Sequence, residues 1–261
     1  MKIQFLGAAQ NVTGSRFILE TKCSRILIDC GLYQERELRN RNWEKFPVNP
    51  TSINSIILTH AHIDHCGYLP KIVKEGFTGR IFCTTPTAKI TEISLLDSAK
   101  IQKRDAILKI KRHIRDKKYS SYPVKPLYNI ANAKKVFTLF VEINYRKEFQ
   151  VCSDIIAEFF DAGHILGSSM IKLTVKEDST EKICIFSGDI GRGHQPILND
   201  PSTFKKADYI FMESTYGNRL HKDQVSILDK LQEVIINTKN SGGNIVIPAF
   251  AIERTQELLY F

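Results

Sequence analysis

Four potential metal ligands lie within six residues, directly after an apolar run that is typical of a buried strand. The run covers residues 53 to 58, and the segment THAHIDHCG follows it at residues 59 to 67. The ligand-type residues of this segment are His60, His62, Asp64 and His65. Side chains so close together in a tight turn cannot all face one ion, so the sequence predicts two adjacent metals at a strand end. The alternative is a polar loop whose histidines cap a helix and bind no metal.

Three more ligand-type residues stand at the ends of other predicted strands. Asp29 ends an apolar strand and is followed by Gly31, while His164 and Asp189 lie in the segments DAGHILGSS and IFSGDIGR. The glycines of these segments permit close approach of the backbone. For Asp29 two interpretations stay open, a turn residue or an acceptor for the free ring N–H of a metal-bound histidine. Taken together, the three residues favour a metal centre built from several strand ends.

The order of predicted elements indicates an α/β (α+β) protein. Apolar or alternating segments predict strands over residues 2–6, 16–20, 25–29, 55–59, 80–84, 148–151, 155–160, 169–175, 182–187, 209–213 and 244–248. Helical periodicity and capping signals predict helices over 69–75, 87–115, 129–136, 225–238 and from 252. Two mixed sheets packed face to face, with helices outside, account for this order. From residue 223 the helix–strand–helix order suggests a separate α/β unit.

The charge of the chain is positive and unevenly distributed. The net charge is +9, and ten Lys or Arg lie between Lys100 and Lys125 against two acids, Asp105 and Asp116. This segment is either a surface for a polyanion or a solvated helix face, and charge alone does not separate the two. No run approaches the roughly 20 apolar residues of a membrane helix, and no signal-peptide core is apparent. We therefore expect a cytoplasmic protein with no membrane partner.

The pattern HxHxDH at residues 60 to 65, with Asp29, His164 and Asp189, resembles the metallo-β-lactamase superfamily. The resemblance implies an αββα sandwich with two zinc ions at the edges of its sheets. One zinc would be held by His60, His62 and His164. The other would be held by Asp64 and His65, with Asp189 as the bridge and Asp29 orienting the site. Paired metals lower the pKa of a bound water toward about 7 and stabilise attacking and departing oxygens, so the implied reaction is hydrolysis.

Three further segments, at residues 187–201, 212–221 and 247–260, resemble the β-CASP group of nucleases within that superfamily. Glu213 falls on the first acidic motif of the group, which implies a catalytic role beside Asp29, Asp64 and Asp189. The implied substrate is RNA, cleaved by an endoribonuclease. The implied RNA contacts are Ser214, Thr215, Tyr216, Asn218, Arg219 and Arg254. Where the group usually has a glycine before the arginine, this chain has Glu253.

The resemblance also implies two domains, a metallo-β-lactamase domain over residues 1–208 and the first part of a β-CASP domain over residues 209–261. In that group a later histidine completes the second metal site, so we expect that this sequence is cut within a domain. As given, it is expected to bind the second zinc weakly and to show little nuclease activity. The alternatives are a small-molecule hydrolase of the same superfamily and a catalytically idle RNA-binding partner. Whether the chain forms a homodimer stays open.

Overall fold

Two mixed β-sheets packed face to face form the centre of the protein, in a computed structural model that describes residues 1–117, 123–218 and 227–261. The first sheet has six strands in sequential order: β1 (Lys2–Gly7), β2 (Arg16–Glu20), β3 (Arg25–Ile28), β4 (Ser55–Ile57), β5 (Arg80–Cys83) and β6 (Phe140–Glu142). Strands β1 to β3 pair antiparallel, whereas β3 to β6 pair parallel. The carboxyl ends of β3, β4 and β5 therefore lie at one edge.

The second sheet has five strands in the order β11-β10-β9-β8-β7. Their bounds are Glu148–Cys152 for β7, Ile155–Asp161 for β8, Ser169–Glu177 for β9, Thr180–Phe186 for β10 and Tyr209–Phe211 for β11. All neighbouring pairs are antiparallel except β10 and β11, which are parallel. The predicted fold class, two mixed sheets with helices outside, is confirmed.

The strands of the first sheet are apolar on both faces because both faces are covered. In β3, Ile26 and Ile28 belong to the core between the two sheets, whereas Leu27 belongs to the core under the helices. Successive side chains of a strand point to opposite faces, so this alternation follows from the strand geometry. In β9 only one side is deeply apolar, with Leu173 facing the first sheet and Lys172 facing outward. The sequence pattern thus distinguishes the inner sheet from the outer one.

Six α-helices accompany the sheets in the described residues: α1 (Ile63–Cys66), α2 (Leu69–Lys74), α3 (Thr85–Asp116), α4 (Ile130–Phe137), α5 (Ile227–Asn240) and α6 (Arg254–Tyr260). Helices α2, α3 and α4 pack over the first sheet through Leu69, Leu95 and Val136, which are buried. Thr84 caps α3 by accepting a hydrogen bond from the backbone N–H of Thr87 at 3.3 Å. Within the described residues, no helix combines the length and apolar character needed to cross a bilayer.

Two details of the predicted strands differ from the structure. The strand predicted at residues 244–248 does not form, and these residues are exposed, with Val246 at 88%. An apolar run becomes a strand only where a neighbour completes its hydrogen bonds, and within the described residues none pairs with this run. Conversely, β6 was not predicted, because three residues are too few to show an alternating pattern.

Candidate metal centre

The loops that follow β3, β4, β8 and β10 meet at one edge of the sandwich, where hydrogen bonds join loops within the second sheet and between the two sheets. The backbone N–H of Ser169 donates to the carbonyl of Thr59 at 2.8 Å, and that of Gly191 donates to the carbonyl of Ala162 at 2.9 Å. A Cβ atom at Gly191 would lie 1.5 Å from the carbonyl oxygen of Gly163, so only glycine permits this approach. The backbone N–H of Cys30, after β3, donates to the carbonyl of His65 at 2.6 Å, and together these contacts bring the residues after four separate strands close to one another.

One group of ligand-type atoms comes from both sheets. It consists of His60, His62, His164 and Asp189, whose ligand atoms all lie within 4.8 Å of one another. Nδ1 of His62 is 3.1 Å from Nε2 of His60 and 3.2 Å from Nε2 of His164. A single ring N–H cannot satisfy two ring nitrogens together, whereas a cation between three imidazole nitrogens and a carboxylate satisfies all of them. The donor set therefore fits a divalent metal.

Burial keeps these imidazoles neutral, which is the form that binds a metal. Desolvation lowers the pKa of His60 well below its usual value, and the neighbouring His65 lowers it further. Burial and the nearby His164 lower the pKa of His62 to about 4, and burial also lowers the pKa of His164. The lone pairs of these rings are therefore available near neutral pH.

A second group lies on the other side of the Asp189 carboxylate. Oδ1 of Asp189 is 3.2 Å from Nε2 of His65, which in turn lies 3.9 Å from Oδ2 of Asp64. The other oxygen, Oδ2, is 3.4 Å from Nε2 of His164 and 3.7 Å from Nε2 of His60. Desolvation acts to raise the pKa of the Asp189 carboxyl, but His65, His60 and His164 together outweigh it and the pKa is lowered. An ionised Asp189 thus presents one oxygen to each group.

Asp29 stands behind this second group and contacts no metal-facing nitrogen. Its Oδ2 lies 2.7 Å from Nδ1 of His65, the ring nitrogen opposite the one that faces Asp189. The carboxylate also accepts the backbone N–H of Thr59 at 2.8 Å and the hydroxyl of Ser15 at 3.3 Å. Burial acts to lower the pKa of His65, but Asp29 and Asp189 raise it well above its usual value. This geometry holds the His65 ring in one orientation.

Glu213 also acts on the backbone of a ligand-bearing loop. Its Oε1 accepts the backbone N–H of Ile190 at 2.8 Å, directly after Asp189, and its own N–H donates to the hydroxyl of Ser187 at 3.2 Å. The carboxylate therefore fixes the loop between β10 and residue 191. Glu213 therefore contacts residues on either side of Asp189, and its link to the metal centre is this loop.

A cavity of about 590 Å³ opens onto the second group. Ser214 and Thr215 lie on its wall, together with Asp64, His65 and Asp189. Three other predicted RNA contacts, Tyr216, Asn218 and Arg254, do not line this cavity. Tyr216 is 52% exposed, and Arg254 forms an ion pair with Glu257 at 3.0 Å. Arg219 lies outside the described residues, and Asn218 is exposed.

Two residues that sequence reasoning missed shape this centre. Thr59 bonds to Asp29 and places its hydroxyl 3.0 Å from Nδ1 of His60. Its position directly before His60 was a signal for such a role. Glu35 accepts the backbone N–H groups of Val12 and Thr13 at 2.9 and 2.8 Å, which holds the loop that lines the opposite wall of the cavity. No local pattern reveals Glu35, because its partners lie more than 20 residues away.

The segment before α6 approaches the first group and contains an unusual backbone. The ring of Phe250 lies 6.4 Å from that of His62. Glu253 has φ of 77° and ψ of −78°, a strained turn conformation that favours glycine. Burial and the neighbouring Glu257 raise the pKa of the Glu253 carboxyl to about 7. Glycine, which the resemblance to the β-CASP group implies at this position, would adopt this backbone without strain.

Curated relatives match the whole chain but only part of their own length. Ribonuclease TTHA0252 of Thermus thermophilus is 32% identical over 100% of this chain and 54% of its own sequence. The RNase J-like protein of Methanocaldococcus jannaschii is 30% identical over 98% of this chain and 53% of its own. The transcription termination factor FttA of Methanosarcina mazei is 31% identical over 99% and 38%. The chain thus spans about half or less of the length of these relatives.

The chain is also similar to a solved structure and to a protein-family model. A metallo-β-lactamase mutant from Cronobacter sakazakii superposes with a TM-score of 0.44 at 20% identity, over 76% of this chain and 64% of that one. The profile of the metallo-beta-lactamase superfamily domain matches residues 18–213. This match covers most of the chain, including strands β3 to β11 and the ligand groups around Asp189. The chain therefore belongs to the metallo-β-lactamase superfamily.

Proposed function

We propose that this protein is a zinc-dependent hydrolase that cleaves RNA phosphodiester bonds, as an endoribonuclease of the β-CASP group. The observation that carries the proposal is the Asp189 carboxylate, which presents one oxygen to each of two ligand groups at the wall of an open cavity. The names of the relatives, a ribonuclease and an RNase J-like protein, support RNA as the substrate.

The ligand types favour zinc. Imidazole nitrogens and carboxylate oxygens are typical zinc ligands, and the first group supplies three of the former and one of the latter. In this proposal His60, His62 and His164 would hold one ion, Asp64 and His65 would hold the other, and Asp189 would contribute to both. When bound, two zinc ions would supply an activated water and positive charge for the phosphoryl group.

The other residues position the substrate and the ligands. Asp29 holds the His65 ring through the bond to Nδ1, and Glu213 holds the loop that carries Asp189 through Ile190. Ser214 and Thr215 lie on the cavity wall, where their hydroxyls can donate to phosphate oxygens. Tyr216, Arg219 and Arg254 are also proposed as RNA contacts. Under this proposal Arg254 exchanges its ion pair with Glu257 for a phosphate.

The proposed boundary between the two domains lies after residue 208, at the start of β11. Residues 1–208 carry all members of both ligand groups, and residues 209–261 carry Glu213 and the proposed RNA contacts. The proposed place of action is the cytoplasm, where RNA is available and where the six free cysteines stay reduced.

A single-turnover assay tests the proposal. The chain, loaded with zinc and in excess over a labelled single-stranded RNA, is expected to cleave it slowly, and the His164→Ala and Asp189→Asn variants are expected to lose this cleavage. Excess enzyme reveals a slow rate that a multiple-turnover assay misses. RNA binding without zinc-dependent cleavage would identify an idle binding partner instead. Faster hydrolysis of a chromogenic lactam or a thioester would identify a small-molecule hydrolase.

A further inference from the structure

Helix α3 carries a line of positive charge that the metal centre does not use. We define the basic stripe as Lys100, Arg104, Lys111 and Arg115, all of which are exposed. Their spacing of four, seven and four residues places them within about 60° of one another around the helix axis. At a rise of 1.5 Å per residue the stripe is about 22 Å long. A line of this kind matches a linear polyanion better than a point ligand.

The stripe borders a groove with an apolar floor. A cavity of about 750 Å³ lies between α3 and residues 126–131, and Lys100, Lys103 and Arg104 form part of its wall. Ile107, Leu108 and Ile130 also line it, and they are 46%, 41% and 39% exposed. Basic side chains beside exposed apolar surface suit single-stranded nucleic acid, whose phosphates need cations and whose unstacked bases need apolar contact. A concave groove between two elements suits a flat bilayer surface less well.

The start of α3 connects the stripe to the metal centre. The hydroxyls of Thr84 and Thr87 both donate to the carbonyl of Gly167, at 2.6 and 2.8 Å, three residues after His164. Lys100 lies 15 residues along the helix from Thr85, or about 22 Å. At about 3.4 Å per stacked nucleotide, roughly six or seven nucleotides span this distance. The stripe is therefore a surface separate from the metal centre, and an RNA that covers the helix from its start to Lys100 needs at least this length.

We propose that the basic stripe and its groove form a second RNA-binding surface, which holds single-stranded RNA at a distance from the metal centre. This inference rests on the proposed action on RNA, but it concerns binding and not cleavage. Arg115 forms an ion pair with Asp116 at 2.5 Å, so Lys100, Arg104 and Lys111 are the residues that contribute most.

The test is a binding titration of a fluorescent 20-nucleotide single-stranded RNA in EDTA, where metal-dependent cleavage cannot occur. The triple variant Lys100→Gln, Arg104→Gln, Lys111→Gln keeps residues that favour a helix. The loss of three phosphate contacts is expected to make the negative slope of log K against log salt less steep by about 2. The affinity at 0.1 M salt is expected to fall about 100-fold.

A second triple variant controls for net charge. Lys147→Gln, Lys176→Gln and Lys205→Gln remove three exposed positive charges from other parts of the surface. This variant is expected to retain wild-type affinity and salt slope. Equal binding by the wild type and the α3 variant, or equal loss in both triple variants, would overturn the proposal. A circular dichroism spectrum with unchanged helix content excludes unfolding as the cause of a loss.

Two further arms separate this surface from the metal centre and from a membrane. The titration in EDTA measures binding to the stripe without metal-dependent cleavage, whereas the cleavage assay with zinc measures the metal centre. Loss of cleavage therefore does not contradict the stripe, and loss of stripe-dependent binding does not contradict the metal centre. Vesicles that contain phosphatidylserine are expected to bind the wild type no better than the α3 variant. Stripe-dependent vesicle binding without stripe-dependent RNA binding would overturn the proposal.

Discussion

Oδ2 of Asp29 lies 2.7 Å from Nδ1 of His65, on the side of the ring opposite Asp189. Asp29 is 1% exposed, and its backbone has a positive φ of 57°, which points the carboxylate back toward Thr59. A carboxylate behind a ligand histidine fixes the ring and raises the basicity of the nitrogen that faces the metal. We therefore expect Asp29 to influence metal binding through His65.

Replacement of Asp29 by Asn tests this relationship. Asp29→Asn is expected to weaken zinc binding about 10- to 100-fold, because the neutral amide orients and polarises the His65 ring less. Competition against a chromophoric chelator measures the change. The control is Asp154→Asn, which alters a carboxylate that accepts from Thr21 and Ser24 away from the metal centre. Unchanged zinc affinity in Asp29→Asn would contradict the role of Asp29.

Asp189→Asn is expected to abolish the stabilisation that zinc gives to the fold. At a free zinc concentration of 100 times Kd, a bound ion raises the free energy of unfolding by about 2.7 kcal/mol. Urea unfolding with and without zinc measures this difference. The variant Asp178→Asn, at an exposed ion pair with Lys22, should retain the full zinc effect. An equal zinc effect in both variants would show that Asp189 is not a ligand.

Gly31→Ala is expected to destabilise the protein by about 3 kcal/mol or to prevent folding, because the added methyl group overpacks a closed contact. A Cβ atom at Gly31 would lie 1.5 Å from the carbonyl oxygen of Asp64. At Gly193 the nearest atom to an added Cβ is 3.6 Å away, so Gly193→Ala serves as the tolerated control. Thermal unfolding of the two variants, followed by circular dichroism, distinguishes them. Similar melting temperatures would refute the close approach at Gly31.

Glu253→Gly is expected to raise the free energy of unfolding by about 1 kcal/mol. A strained backbone costs about 1 to 3 kcal/mol, and the greater freedom of glycine in the unfolded chain offsets part of the gain. Glu233→Gly, at an exposed position within α5, should have the opposite sign and cost about 1 kcal/mol. Urea midpoints of both variants provide the comparison. Destabilisation by both changes would indicate that Glu253 is not strained.

The Glu253 carboxyl is also expected to make the free energy of unfolding depend on pH. Its pKa in the fold, about 7, is above the ordinary value of 4.5, so the folded state favours the neutral form. Stability from this group is therefore complete below about pH 4.5 and is lost as the pH rises through 7. Glu253→Gln should flatten the dependence of stability on pH between 5 and 8. Parallel curves for the wild type and the variant would exclude this carboxyl as the cause.

Much of the metal centre could be predicted from the sequence because its residues follow recognisable strands. His60, His62, His164 and Asp189 each come after an apolar run, and the structure brings these four together. The contacts that hold the surrounding loops were harder to predict from the sequence. Glu35 reaches Val12 and Thr13 only through the tertiary fold, and a carboxylate in a polar segment has no local signal. The prediction of a strand at residues 244–248 was wrong for a related reason. Whether an apolar segment forms a strand depends on a neighbouring strand that pairs with it, and the segment itself does not show this.

The position of Asp189 between the two ligand groups would make the metal affinities of these groups interdependent. A cation bound in the first group would withdraw electron density from the carboxylate whose other oxygen faces His65. It would orient this carboxylate for a second cation but would also repel that cation through its charge. With an ion in each group, metal loading would be a linked equilibrium, and two independent dissociation constants would not describe it.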